Sequence, residues 1–522
     1  MRSTRRRDPL LLLLVLALGA CATAPAKPSS SSSSSFTWTL HLLPGGDVDT
    51  GAVDTRLCFS GAPPEHVGPE NLKALPWLMD LPRPVDADGR ELGPPLPVDA
   101  QGIVTRGLRE GGCVAFSVDV EAAARDLDDR DVAAVVGRSI LASPDAWLWR
   151  PKPWPVGVVG KLVVEDFGLP GHSGALSPGH SGALHGDAEA GSRGSGPLRA
   201  RRLAVPFARD DDGSYRVPAS TFALQCFAAL GDIAVRDVSA RGVTLHVARV
   251  DGGGVDDERL EDWLRVAIDD VAVPLERFPV GEVLVLLVPV AGRRAIAAGF
   301  LGRGGGPSAL FMLGRGPLGA LDEDAALPSP GEPLEDDGRW VFTHELAHAL
   351  LPPVARGDGW LNEGLTTWHQ EVLPAAAGRR ARALAQDQLE IGFRTGRARA
   401  GQDGLSVERS CTEMDRRGTY QHCYWAGARL IDLLAREVGD DGVFQLVRAL
   451  HAARSIDAEP LPALRLLETA STSTTPPAAA AAAAALLRLW EAHRNAPFPD
   501  PAADPGPDPT TTAAAESALA SR

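Results

Sequence analysis

One pentapeptide constrains this chain more than any other feature: His344-Glu345-Leu346-Ala347-His348, set inside the largely apolar run from Trp340 to Leu350. At 3.6 residues per turn, positions four apart lie on nearly the same face, one turn above each other. Two imidazoles so placed can bind one Zn²⁺, while Glu345 stands beside the metal where a water would sit. The apolar, helix-forming surroundings predict a buried helix. A zinc that does chemistry usually has three protein ligands and one open position, so a third ligand is expected elsewhere in the chain.

That ligand has a candidate in Trp360-Leu361-Asn362-Glu363-Gly364-Leu365, which begins twelve residues past His348. The segment resembles the second-helix motif of the gluzincins, zinc metallopeptidases whose third ligand is a glutamate. Its wording is nearest to the aminopeptidase N-like family and related peptidase MA-like proteins. The resemblance implies Zn²⁺ held by His344, His348 and Glu363, with Glu345 as general base. It also implies an α+β, thermolysin-like catalytic domain completed by a C-terminal helical segment.

A third stretch, Tyr424-Trp425-Ala426-Gly427-Ala428, is similar to the Y-x-K-G-A segment of the same family, with Ala426 in place of the lysine. By that match Tyr424 shares the oxyanion with the metal; the plainer reading is a core aromatic at a helix start. The resemblance spans roughly residues 240–450, and its specific motifs are confined to 344–348, 360–368 and 424–428.

Two departures stand out. The gap from His348 to Glu363 is shorter than in the aminopeptidase N-like enzymes. The stretch expected to correspond to their G-x-M-E-N segment, Gly304–Leu313 (GGGPSALFML), has no carboxylate to hold a substrate amino terminus. Its backbone could still pair with an extended peptide, and the next acids are Asp322, Glu323 and Asp324. Asn362 is expected to orient the ligand helix. For His369 and His422, core or solvated roles outweigh a part in the reaction.

The N-terminus reads as an address. Arg2, Arg5, Arg6 and Arg7 precede the apolar run Leu10–Ala20, eleven residues long, where about 20 are needed to span a bilayer. Leu18-Gly19-Ala20-Cys21 resembles the lipobox of bacterial lipoproteins, which implies lipidation at Cys21; the alternative is a plain secretory signal. By resemblance, Ala22 favours the outer membrane, facing the periplasm or the cell surface. The net charge of −15 repels nucleic acid, so no nucleic-acid partner is expected. In an oxidising compartment Cys58 with Cys113, and Cys411 with Cys423, are candidate disulfides by proximity, leaving Cys226 alone.

The expected organisation is a signal over 1–21, a Ser-rich tether over 22–35 and a mostly β domain over 36–167. A Gly/Ser/His-rich linker over 168–198 repeats GHSGAL and carries His172, His180 and His185. The metallopeptidase-like domain occupies 199–375, a helical part completing the site 376–497, and a disordered tail 498–522. The clustered Trp147, Trp149 and Trp154 are read as packing. The expected function is that of a lipid-anchored zinc metallopeptidase acting on peptides or proteins. The rival is an inactive gluzincin-like lipoprotein serving as a binding or scaffold module.

Overall fold

The computed structural model describes residues 35–42, 51–70, 72–126, 133–155, 157–166, 199–250, 257–290, 296–314, 338–456, 458–472 and 475–500. The period-two pattern at Phe36 forms the strand Phe36–Leu42, which buries Phe36, Trp38 and Leu40. It runs antiparallel to Ala52–Phe59 and parallel to Gly160–Asp166 in a six-stranded sheet that also holds Cys113–Asp119, Arg83–Val85 and Tyr215–Val217. Cys58 and Cys113 sit directly opposite on neighbouring antiparallel strands and form a disulfide. A small four-stranded sheet lies alongside. The tryptophan cluster is packing: Trp147 and Trp149 are fully buried, and the Trp38 indole donates to the Trp149 carbonyl.

The second large sheet has eight strands. One of its inner strands is Glu282–Pro289, whose β-branched and leucine side chains are buried on both faces. Such a run reads as one unbroken apolar stretch because helices or sheets cover both sides. Val243–Val250 and Ser308–Leu313 flank it in parallel. The first of these parallel pairs is joined by the helix Asp257–Val271, whose stripe of Leu260, Trp263, Leu264, Ala267, Ile268 and Val271 is buried. That stripe shares a core with Val341, Phe342 and Leu346 of the helix Arg339–Ala347. Ile296–Gly302, antiparallel to Ser308–Leu313, ends the strand order and is the edge among the described residues.

The remaining helices stack behind the motif helix. Gly359–Ala376 crosses Tyr420–Ala453 at Gly364 and Gly427, where a methyl on Gly364 would lie 2.5 Å from the Gly427 backbone. Only hydrogen side chains permit that approach. The long helix is broken at Gly439, whose φ is 76°. Its N-terminal end is tied to the helix Val407–Thr412 by the Cys411–Cys423 disulfide; Cys226 remains a buried thiol. The alanine tract forms the helix Pro477–His493 and buries Ala479, Ala482 and Ala483 against the core. Phe498 is also buried, so packed chain extends past the point where a tail was expected.

The architecture is α+β as expected, with β-rich sequence first and helices last. The chain does not divide cleanly at the linker, however. Ala133–Val136 and Ser139–Ala142 precede it yet belong to the eight-stranded sheet, and Tyr215–Val217 follows it yet closes the six-stranded one. The expected signal and linker and the tether up to residue 34, with Cys21, His172, His180 and His185, lie outside the described residues, as do Asp322, Glu323 and Asp324. Among the described residues no helix is long and apolar enough to cross a membrane.

Candidate metal centre

The motif helix Arg339–Ala347 ends one residue before His348, which starts a single 3₁₀ turn, His348–Leu350. Both imidazoles still face the same side. Their Nε2 atoms each lie 3.5 Å from one oxygen of Glu363, which the second motif delivers near the start of Gly359–Ala376. The ligand atoms of His344, His348 and Glu363 all lie within 4.8 Å of one another, and the two histidines are buried.

The ring nitrogens pointing away from this triad are held. His344 Nδ1 lies 2.9 Å from Gln370 Oε1, and His348 Nδ1 lies 3.2 Å from Asn362 Oδ1. Both partners present acceptors, so each Nδ1 can donate and leave its Nε2 to offer a lone pair to a metal. Two such nitrogens and a carboxylate oxygen are the donor set zinc takes in three-ligand sites. The residues present therefore fit the metal. Gln370 in turn donates to Glu371, which Arg380 pairs with, and Asn362 Nδ2 donates to Glu363 Oε1 at 3.2 Å.

Glu345 stands beside the triad. Its carboxylate approaches His348 Nε2 to 4.0 Å, and the nearby backbone N–H of Leu301 on the edge strand favours its charged form. A methyl on Gly299 would sit 2.6 Å from Glu345 Cγ, so this glycine lets the strand lie against the carboxylate. Tyr424 enters from the start of the long helix, with its ring stacked 5.9 Å from that of His344 and its hydroxyl near the Glu363 carboxylate.

Burial and charge set the protonation of each group. Burial alone raises the Glu363 carboxyl, but His348 and His344 hold it well below the ordinary range. Burial works against charge on His344, yet Glu363, Glu345 and Gln370 leave its pKa raised. Burial lifts Glu345, with the two imidazoles opposing. Burial and the carboxylates Glu363 and Glu345 push the Tyr424 phenol well up, which keeps its proton available for donation.

His344, Glu345, His348, Glu363 and Tyr424 thus meet in one place, and Asn362 is where its expected orienting role requires. His369 is fully buried and drawn down to about 3 by burial and the two imidazoles, which makes it a neutral core residue. His422 contacts Asp403 and the Pro497 carbonyl and holds helices together. The strand beside the site differs from expectation: among the described residues Ile296–Gly302, not Gly304–Leu313, is the edge that lies against Glu345. Ser308–Leu313 is paired on both sides, with no free edge for a peptide. Gln370 was missed, although it lies two turns beyond Glu363 on the same helix face.

No family model matches the sequence, and comparison with curated proteins gives no match. Among solved structures, an aminopeptidase N family protein from Idiomarina loihiensis aligns with a TM-score of 0.57 over 84% of this chain and 74% of that one, at 13% identity. An M1 zinc metallopeptidase from Deinococcus radiodurans aligns at 0.46 and 17% identity, covering 91% of this chain and 95% of that one. A yeast LTA4 hydrolase in complex with bestatin aligns at 0.44 and 12% identity, covering 83% and 63%. The Idiomarina likeness is one of fold.

Proposed function

Taking the aminopeptidase N-type fold as premise, we propose that this chain is an exported, lipid-anchored zinc metallopeptidase. The observation that carries the reading is the convergence of His344, His348 and Glu363 with Glu345 on one flank and Tyr424 on another. Zinc, when bound by those three residues, supplies a Lewis acid that polarises a carbonyl and acidifies water.

The chain's own residues do the rest. An extended peptide adds to Ile296–Gly302, the edge among the described strands, by backbone pairing, which brings its scissile bond over the triad. Glu345, packed against Gly299 of the edge strand, accepts a proton from water at one carboxylate oxygen and passes it to the departing amine. Tyr424 donates its O–H to the oxygen that gains charge as the carbonyl becomes tetrahedral. The presence of both Glu345 and Tyr424 favours an enzyme over a scaffold, since holding a metal requires neither.

Lipidation at Cys21, through the lipobox-like segment, places the enzyme at the bacterial cell envelope, with the outer membrane favoured by Ala22. Metal analysis of the chain lacking residues 1–35, paired with digestion of a broad peptide library, tests the enzyme. About one zinc per chain with zinc-dependent cleavage supports it, and a zinc-loaded chain that cuts nothing establishes the scaffold instead. Labelling with a palmitate analogue, abolished by Cys21→Ser, tests the anchor.

A further inference from the structure

Arg303 has no counterpart in the motifs that announce the site. It occupies the glycine-rich turn just past the edge strand Ile296–Gly302, and the turn is pinned from below: the backbone N–H groups of Arg303 and Gly304 both donate to the Gln225 carbonyl, at 2.8 and 2.9 Å. From there the guanidinium reaches into the protein. One terminal nitrogen donates to the His348 carbonyl oxygen at 2.7 Å and to Asn362 Oδ1 at 3.4 Å.

These two acceptors are not incidental. The His348 carbonyl lies where the motif helix gives way to its 3₁₀ turn; it accepts the Leu351 N–H at 3.3 Å and takes Arg303 as a second, shorter donor. Asn362 Oδ1 is the atom that receives His348 Nδ1–H, while the same amide donates from Nδ2 to Glu363 Oε1. A flipped Asn362 would set N–H against N–H at His348 and oxygen against oxygen at Glu363. A cationic donor beside Oδ1 selects the unflipped amide, and that amide in turn fixes the tautomer of one ligand and the rotamer of another.

Resting on the metal reading above, we propose that Arg303 is a positioning residue for the metal centre. It bridges the substrate-side edge strand to both ligand segments and acts on His348 and Glu363 through Asn362. The bridge also gives the strand that would carry a peptide a direct mechanical tie to the ligand pair.

The test is zinc affinity by chelator competition in the wild-type chain, Arg303→Met, Asn362→Ala and the double variant, with folding followed by circular dichroism. Arg303→Met should weaken zinc by about 10- to 100-fold, the usual loss when a group behind a ligand is removed. Because the two residues act as one device, the double variant should be little weaker than the worse single variant. Zinc affinity within about twofold of wild type in folded Arg303→Met, or losses that multiply in the double variant, overturns the proposal. Should Arg303→Met fail to fold, Arg303→Lys takes its place: the shorter stem reaches at most one acceptor, a several-fold loss is expected, and unchanged affinity overturns the bridge. A wild-type chain that takes up no zinc defeats the metal reading itself, which separates that failure from this one.

Discussion

At the scale of single residues, the site separates holding a metal from using it. His344, His348 and Glu363 form the donor set, whereas Glu345 meets the triad only at its edge, 4.0 Å from His348 Nε2. Glu345→Gln keeps the shape and all three ligands, so folding and zinc content should persist while hydrolysis falls at least ~100-fold. His348→Ala or Glu363→Ala should instead lose the zinc. Metal analysis beside a peptide assay distinguishes the two classes, and a Glu345→Gln variant as fast as wild type would remove Glu345 from the reaction. These functional side chains, with Tyr424, were legible because their chemistry demands fixed residue types at fixed helical spacing. Arg303 was not, since a lone arginine in a glycine-rich turn has no periodicity to betray it. Gln370 could have been found by extending the Glu363 helix face two turns further.

At the scale of elements, two close approaches set the geometry. The Gly364–Gly427 crossing brings the helix that delivers Glu363 against the one that delivers Tyr424, and a methyl on Gly427 would lie 2.8 Å from the Gly364 Cα. Gly427→Ala should cost about 1–3 kcal/mol of stability by overpacking and reduce turnover by shifting Tyr424 from Glu363. Urea denaturation beside the peptide assay reads both effects; a wild-type midpoint and rate would mean that the crossing yields freely. The edge strand sets the second. Ile296–Gly302 contains no carboxylate to pair with a substrate ammonium. Matched peptides with free and acetylated amino termini should therefore differ in kcat/KM by less than about tenfold, and a roughly thousandfold preference for the free amine would reveal an anchor elsewhere. The sequence pointed one strand too far along because Ile296–Gly302 is rich in small residues and lacks alternation, whereas Ser308–Leu313 has the apolar run that marks a buried strand.

At the scale of the whole molecule, the alternating, apolar and helical patterns conveyed the α+β class and the order of β-rich and helical parts. They did not convey which strands pair, because pairing is decided by contacts far apart in sequence. Thus Ala133–Val136 and Ser139–Ala142 sit in the second large sheet while Tyr215–Val217 sits in the first. The core of the β-rich part likewise combines Trp38, Trp147 and Leu162 with Leu203, Phe207 and Phe222 from beyond the linker. Each half has lent strands and core side chains to the other, like two hands with fingers interlocked. A chain severed between residues 168 and 198 should accordingly remain one particle on a sizing column. Fragments made separately should behave as a split protein, each poorly folded alone and regaining zinc binding when mixed. Two independently stable fragments would show that the exchanged strands contribute little. Where the sequence presents a boundary between modules, the described residues on either side of it are laced together by exchanged strands and a shared core.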